Sequence, residues 1–180
     1  NSFSANGSTN SSESDSYSKT HIHSLITAGS LNSSSERLNI IGGDVEIQND
    51  INITTKELTI ASVQDESRSS SSSSGFNISG GGKTVSSIDP SSVGVSHNES
   101  NSDSKWVNNQ SSLIGGLSGN GAVNITADKT VLTGALLASA TRDETGTLSD
   151  NGNLNLTTDV LEVNNLYDHN TSDSRGINLS

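Results

Sequence analysis

The sequence predicts an all-β fold, a repetitive stack of short strands, and three observations lead there. First, one Asn sits between two large apolar residues six times: Leu38-Asn39-Ile40, Ile51-Asn52-Ile53, Phe76-Asn77-Ile78, Val123-Asn124-Ile125, Leu154-Asn155-Leu156 and Ile177-Asn178-Leu179. Each triplet has the period of a half-buried strand. Asn is a poor strand former, so β-propensity alone does not explain the recurrence. Second, the chain resembles itself at offsets of 85 to 103 residues. Third, apolar triplets start at Leu38, Val45, Ile51 and Leu58, in steps of 7, 6 and 7.

The elements follow in chain order. Residues 10–26 match 98–114 at an offset of 88, through Asn10/Asn98, Ser14-Asp15-Ser16/Ser102-Asp103-Ser104 and Ser24-Leu25-Ile26/Ser112-Leu113-Ile114. Leu38-Asn39-Ile40 matches Val123-Asn124-Ile125 at 85, Asn52-Ile53-Thr54-Thr55 matches Asn155-Leu156-Thr157-Thr158 at 103, and Gly75-Phe76-Asn77-Ile78 matches Gly176-Ile177-Asn178-Leu179 at 101. The jump between the second and third offsets predicts an insertion around Thr141–Asn151. We expect one continuous segment over residues 1–180. It holds repeat units at about 1–75 and 76–175, and a third begins at 176–180.

Within a unit, three steps cover twenty residues, the length of a coil with a short strand on each of three sides. Gly42-Gly43, Asn49-Asp50 and Thr55-Lys56 fall at the corners, and most are turn formers. A lone coil buries too little apolar surface to offset its ordering, so coils must stack. Each unit also has a polar stretch that cannot line a core. In the second unit Val93-Gly94-Val95-Ser96 and Lys105-Trp106-Val107 flank the turn-rich Asn98–Asp103, which predicts a polar hairpin or loop projecting from the stack. The first unit keeps Phe3, Ala5 and Tyr17 around an equivalent centre. The Ser69–Ser74 run reads as a flexible low-complexity excursion.

Composition narrows the function. Leu, Ile, Val and Phe make up about 22 % of the 180 residues, above the level of a disordered chain. There is no Met, and the chain begins at Asn1, so it reads as an internal fragment. The absence of Cys excludes thiolate catalysis, disulfides and Cys-bound zinc. The net charge is −11 and the nine bases are scattered singly, so no basic stripe exists for nucleic acid.

The blocks SSLIGGLSGNGAVNITADKTVLTGALLAS and NGNLNLTTDVLEVNNL, preceded by VGVSHNESNSDSKWVNNQSSLIGG, resemble the haemagglutinin repeats of two-partner-secreted exoproteins. These are filamentous-haemagglutinin-type adhesins and contact-dependent growth inhibition effectors of Gram-negative bacteria. The resemblance covers nearly the whole chain; Gly-Gly-Asn turns are sparser here. It implies a right-handed parallel β-helix, secreted to the bacterial cell surface as part of a filament. It also implies adhesion, or delivery of a toxin carried elsewhere. The implied partners are other segments of the filament and the target-cell surface or outer membrane, with glycans as a further candidate. A direct carbohydrate- or receptor-binding adhesin module is the alternative.

Several residues invite a sharper reading. On a strand, His21 and His23 would share a face and could bind a transition metal, but the sister positions are Asn109 and Ser111, so we expect exposed polar residues. His97 and His169 read as solvated loop residues. Asp143-Glu144 could hold calcium, but the glycine-rich calcium nonapeptide is absent. No metal or cofactor is expected. The recurring Asn cannot serve as general acid or base, so no enzyme is expected. The triplet Asn residues either face solvent or stack along the filament; we expect outward-facing residues with partial stacking. Eleven Asn-X-Ser/Thr sequons, Asn10, Asn52, Asn98 and Asn124 among them, follow mainly from abundant Asn and Ser. The candidate surface contacts are Trp106, Lys105, Val107 and Asn98, on the expected hairpin. An exposed aromatic there would mark recognition; otherwise Trp106 folds back to cover the stack.

Overall fold

The computed structural model describes residues 3–84 and 89–180. They form thirteen strands: β1 (Phe3–Lys19), β2 (Ser24–Ala28), β3 (Leu31–Ile41), β4 (Gly43–Ile47), β5 (Ile51–Ala61), β6 (Asp65–Gly82), β7 (Asp89–Trp106), β8 (Ser112–Gly115), β9 (Val123–Thr133), β10 (Leu136–Arg142), β11 (Leu148–Asp150), β12 (Leu154–Asn164) and β13 (His169–Leu179). The chain divides into two compact units, one of Asn1–Lys19, Glu66–Lys105 and His169–Ser180, the other of Thr20–Asp65 and Trp106–Asp168.

The second unit contains two sheets, ordered β11-β10-β8-β4-β2 and β12-β9-β5-β3. Every pairing in them is parallel except β10 with β11. The chain makes four successive passes through both sheets. Leu31 pairs with Ile51 and Leu38 with Leu58, so the first two passes are twenty residues apart, as the triplet spacing predicts. Gly42, with φ of +66°, turns the chain between β3 and β4. Asn49-Asp50 joins β4 to β5, and Lys56 marks a corner within β5. There the buried positions change parity, from Ile51, Ile53 and Thr55 to Leu58 and Ile60. The exposed Glu36, Asp128 and Asp159 occupy the same corner in the other passes.

Stacking places like residues in columns. Leu31, Ile51, Val123 and Leu154 form one; Leu38, Leu58, Thr130 and Leu161 form another. Burial depends on having a pass on each side. Leu58 and Thr130 are 0 % exposed, whereas Leu161, in the last pass, is 52 % exposed. The core joins Val45, Ile47, Ile51, Ile53, Leu58, Ile60, Leu113, Val123 and Ile125 between the sheets. The expected insertion is present: β9 to β12 advances 31 residues instead of twenty. The excess accommodates the β10–β11 hairpin, with Ala140 opposite Asp150 and Arg142 opposite Leu148.

The first unit is a four-stranded sheet ordered β1-β6-β7-β13. β1 and β6 are antiparallel, as are β7 and β13. Contacts Ser74–His97 and Ser79–Ser92 have a constant position sum, the mark of antiparallel β6 and β7. Three expectations differ here. Among the described residues, parallel pairing is confined to residues 24–61 and 112–164. Ser69–Ser74 is not a flexible excursion: it pairs with Ser11–Ser16 and has β7 on its other side, so its backbone bonds are satisfied regardless of side chain. Asn98–Asp103 is no turn but the middle of β7, paired with Thr171–Gly176.

Candidate contact surface

The antiparallel sheet has two chemically distinct faces, because side chains alternate along each strand. Registers align Ser16, Ser69, Ser102 and Ser172 in one row, and Ser14, Ser71, Ser100 and Ser174 in another, on the same face. Between the paired ends that face carries Ser, Asn and Gly, broken only by Pro90. Cross-strand Asn sits over Gly there: a Cβ on Gly75 would lie 2.8 Å from Asn10 Oδ1, and one on Gly176 would lie 2.5 Å from Asn98 Oδ1. The offsets of 88 and 101 therefore reflect two copies of one pairing, Asn10 with Gly75 and Asn98 with Gly176.

The opposite face holds the sheet's charged, aromatic and aliphatic side chains. Tyr17, Arg68, Asp103 and Thr171 form one row, and Asp15, Ser70, Asn101 and Asp173 the next. These rows line a cleft of about 440 Å³. Arg68 Nε donates to Asp103 Oδ2 at 2.8 Å, and His169 Nε2 lies 3.1 Å from Asp103 Oδ1. Lys105 Nζ is 3.3 Å from Glu66 Oε1. Tyr17 is half exposed. Three carboxylates against one guanidinium leave the cleft acidic.

The four candidate residues are not brought together. Asn98 lies on the Ser/Asn/Gly face and Lys105 on the charged face of the same strand. Trp106 ends β7 and is half-buried, and Val107 N–H donates to Asp168 Oδ1 at 2.8 Å. Tyr17, Arg68 and Asp103 were not singled out together. Their shared face is written in the alternation of β1 and β7, but the partner strand cannot be read locally. Phe3's side chain lies outside the described residues.

The histidines differ from expectation because each finds an acid. His21 N–H donates to Asp65 Oδ1 at 2.8 Å, and its Nδ1 lies 3.2 Å from the same oxygen. His23 Nε2 lies 2.9 Å from Asp44 Oδ2, and both imidazoles are half-buried. Facing different carboxylates, they do not converge; among the described residues no cluster of three potential metal ligands exists. His97 and His169 lie on strands β7 and β13, with Glu99 and Asp103 as partners. Asp143 Oδ1 accepts from Thr145 Oγ1 (2.7 Å) and from the Thr145 and Thr147 amides (2.9 Å each), closing the β10–β11 turn. The Thr145 hydroxyl, followed by the Thr147 amide, lowers its pKa below the usual carboxylate range.

On the stack, Asn52 Nδ2 donates to Asn32 Oδ1 (3.1 Å), Asn124 Nδ2 to Asn52 Oδ1 (3.1 Å), and Asn155 Nδ2 to Asn124 Oδ1 (3.0 Å). All four are exposed, so the Asn residues both face solvent and form a continuous ladder. Next to it, Glu36–Lys56 (2.6 Å), Arg37–Glu57 (3.3 Å) and Lys129–Glu162 (2.8 Å) pair charges between passes.

Parallel passes with in-register side-chain columns define an all-β repeat protein. The chain belongs to the hemagglutinin repeat family, whose model matches residues 3–159. No curated protein and no solved structure matches it.

Proposed function

We propose that this chain is a structural and interaction segment of a secreted Gram-negative surface filament, with the parallel passes forming a right-handed β-helix. Its role is to support toxin delivery in contact-dependent growth inhibition, or cell adhesion, without catalysis. The observation that carries this reading is the set of unbroken side-chain columns through four passes. Such a stack lengthens by adding passes, each contacting only its neighbours. The element order repeats as β1, two passes, β6 and then β7, two passes, β13, two copies of one unit. The partners are other segments of the filament and the target-cell surface or outer membrane. Deleting residues 1–180 from the secreted exoprotein should abolish adhesion or killing of neighbours while export persists. Unchanged adhesion and killing would refute the reading.

The acidic cleft around Tyr17 favours a second reading, a direct carbohydrate- or receptor-binding adhesin module. A glycan array probed with the purified chain separates the two. The scaffold reading expects no selective binding. Strong binding to neutral glycans, lost on Tyr17→Ala, would establish the module instead.

A further inference from the structure

We propose that the charged face of the antiparallel sheet docks a cationic peptide segment of another protein, its basic residues in the cleft beside Tyr17 and its apolar residues on Phe76 and Val95. The inference rests on the second reading above, a receptor-binding module, and gives the receptor's chemistry. One row across the sheet reads Asp15, Ser70, Asn101, Asp173, so carboxylates stand on the outer strands with small polar side chains between them. Three strand spacings separate the outer strands by about 14 Å, wide enough for a peptide. Tyr17, Asp15 and Glu13 alternate with Ser16 and Ser14, so all three point to this face from β1. Of the bases on these strands, Arg68 pairs with Asp103 (2.8 Å) and Glu66 (3.6 Å), Lys105 with Glu66 (3.3 Å) and Arg175 with Asp173 (3.2 Å). Lys19 stands about 13 Å along β1 from Asp15. Glu13 and Asp15 are exposed and have no ion pair among the described residues.

Charge complementarity selects the occupant. A neutral ligand laid over Glu13 and Asp15 would strip water from two carboxylates without supplying a counter-charge. An anionic surface is repelled. So is another length of this chain, which carries twenty acids against nine bases. An Arg or Lys side chain supplies the missing charge, and between Asp15 and Tyr17 it meets a carboxylate and a ring face together. The apolar half of the occupant follows from the same face. Eight residues along β6, about 26 Å from Arg68, the row changes character at Phe76. Phe76, Val95, Ile177 and Leu179 lie there on one side of the sheet, between 42 % and 64 % exposed. An exposed apolar patch continuous with a charged cleft marks a contact surface for an amphipathic partner.

The test is fluorescence anisotropy with a labelled peptide of about eight extended residues, Arg and Lys in one half and Leu and Val in the other. The chain should bind it, and raising salt from about 0.05 M to about 0.5 M should weaken binding about tenfold. Glu13→Gln/Asp15→Asn should weaken it about tenfold at low salt and flatten the salt dependence. Phe76→Ser/Val95→Ser should weaken it while the salt dependence stays. Asp128→Asn/Asp159→Asn makes the same change of charge on the exposed corner of the stack and should leave affinity within about twofold. All six positions are exposed, so unchanged circular dichroism will confirm that the variants fold. No binding, equal binding of a peptide with Glu in place of Arg and Lys, or equal losses in the two charge variants would overturn the proposal. Selective binding to neutral glycans without peptide binding would overturn it too, yet leave the receptor-binding module standing.

Discussion

Asn52→Ala should cost about twice as much stability as Asn155→Ala, although the two residues look alike in sequence. Asn52 stands inside the ladder, donating to Asn32 and accepting from Asn124, both at 3.1 Å. Asn155 stands at its end and makes one such bond, at 3.0 Å to Asn124. An intramolecular hydrogen bond contributes about 0.5–1.5 kcal/mol net. These bonds are exposed, so water replaces the lost partner and the lower half of that range applies. Asn52→Ala should therefore lose about 1–2 kcal/mol and Asn155→Ala about 0.5–1 kcal/mol. Urea unfolding followed by Trp106 fluorescence measures both. With a slope of about 2 kcal/mol/M, the midpoints should fall by roughly 0.5–1 M and half that. Equal losses, or no loss at Asn52, would mean that the ladder is geometry without energy and that its Asn residues are merely solvated.

Three further outcomes follow from the same stack. Leu58→Ala empties a fully buried position and should cost about 2–5 kcal/mol, whereas Leu161→Ala, in the same column but half exposed, should cost about 1 kcal/mol; similar midpoint shifts in urea would show that the last pass is not open. A Cβ on Gly115 would lie 2.6 Å from Val123 Cγ2 and 2.8 Å from Ile51 Cδ1, so Gly115→Ala should destabilise by about 1–3 kcal/mol in the same assay, and a neutral result would contradict the close approach of β8 to the core. Asp143 has a lowered pKa in the folded chain, so its contribution is present above the usual carboxylate range and lost as pH falls through the lowered value. Protection of the Thr147 amide from hydrogen exchange, taken relative to the unstructured rate at each pH, should thus fall in acid, and Asp143→Asn should remove that pH dependence; an unaltered profile in the variant would assign it to another group.

The stack was largely legible in the sequence. The steps of 7, 6 and 7 correspond to strands and corners, and the offset of 103 joins residues of one column, Asn52 and Asn155. The offset of 85 does not: Val123-Asn124-Ile125 lies in the column of Leu31-Asn32-Ser33, not of Leu38-Asn39-Ile40. Leu31-Asn32-Ser33 escaped notice because its third position is Ser. An apolar–Asn–apolar triplet specifies which side chains share a face. It does not specify which strand will lie alongside, since that depends on how many residues the chain spends between passes. Phe76-Asn77-Ile78 and Ile177-Asn178-Leu179 show this plainly, for both belong to the antiparallel sheet.

The candidate surface was harder to read for a related reason. In β1 and β6, Ser fills one face and also parts of the other, so composition resembles a low-complexity linker while the alternation still separates two faces. A Ser-rich strand is ordered here by partners on both sides, and those partners come from residues up to 79 positions away, as Phe3 and Gly82 do. Sequence repetition is the one local trace of that pairing. Because Asn10/Gly75 and Asn98/Gly176 keep their partners across the duplication, a repeat can preserve strand pairing without any recurring apolar residue. The same logic separates two aromatics: Trp106 closes a strand half-buried, while Tyr17 acquires neighbours only when four distant segments come together.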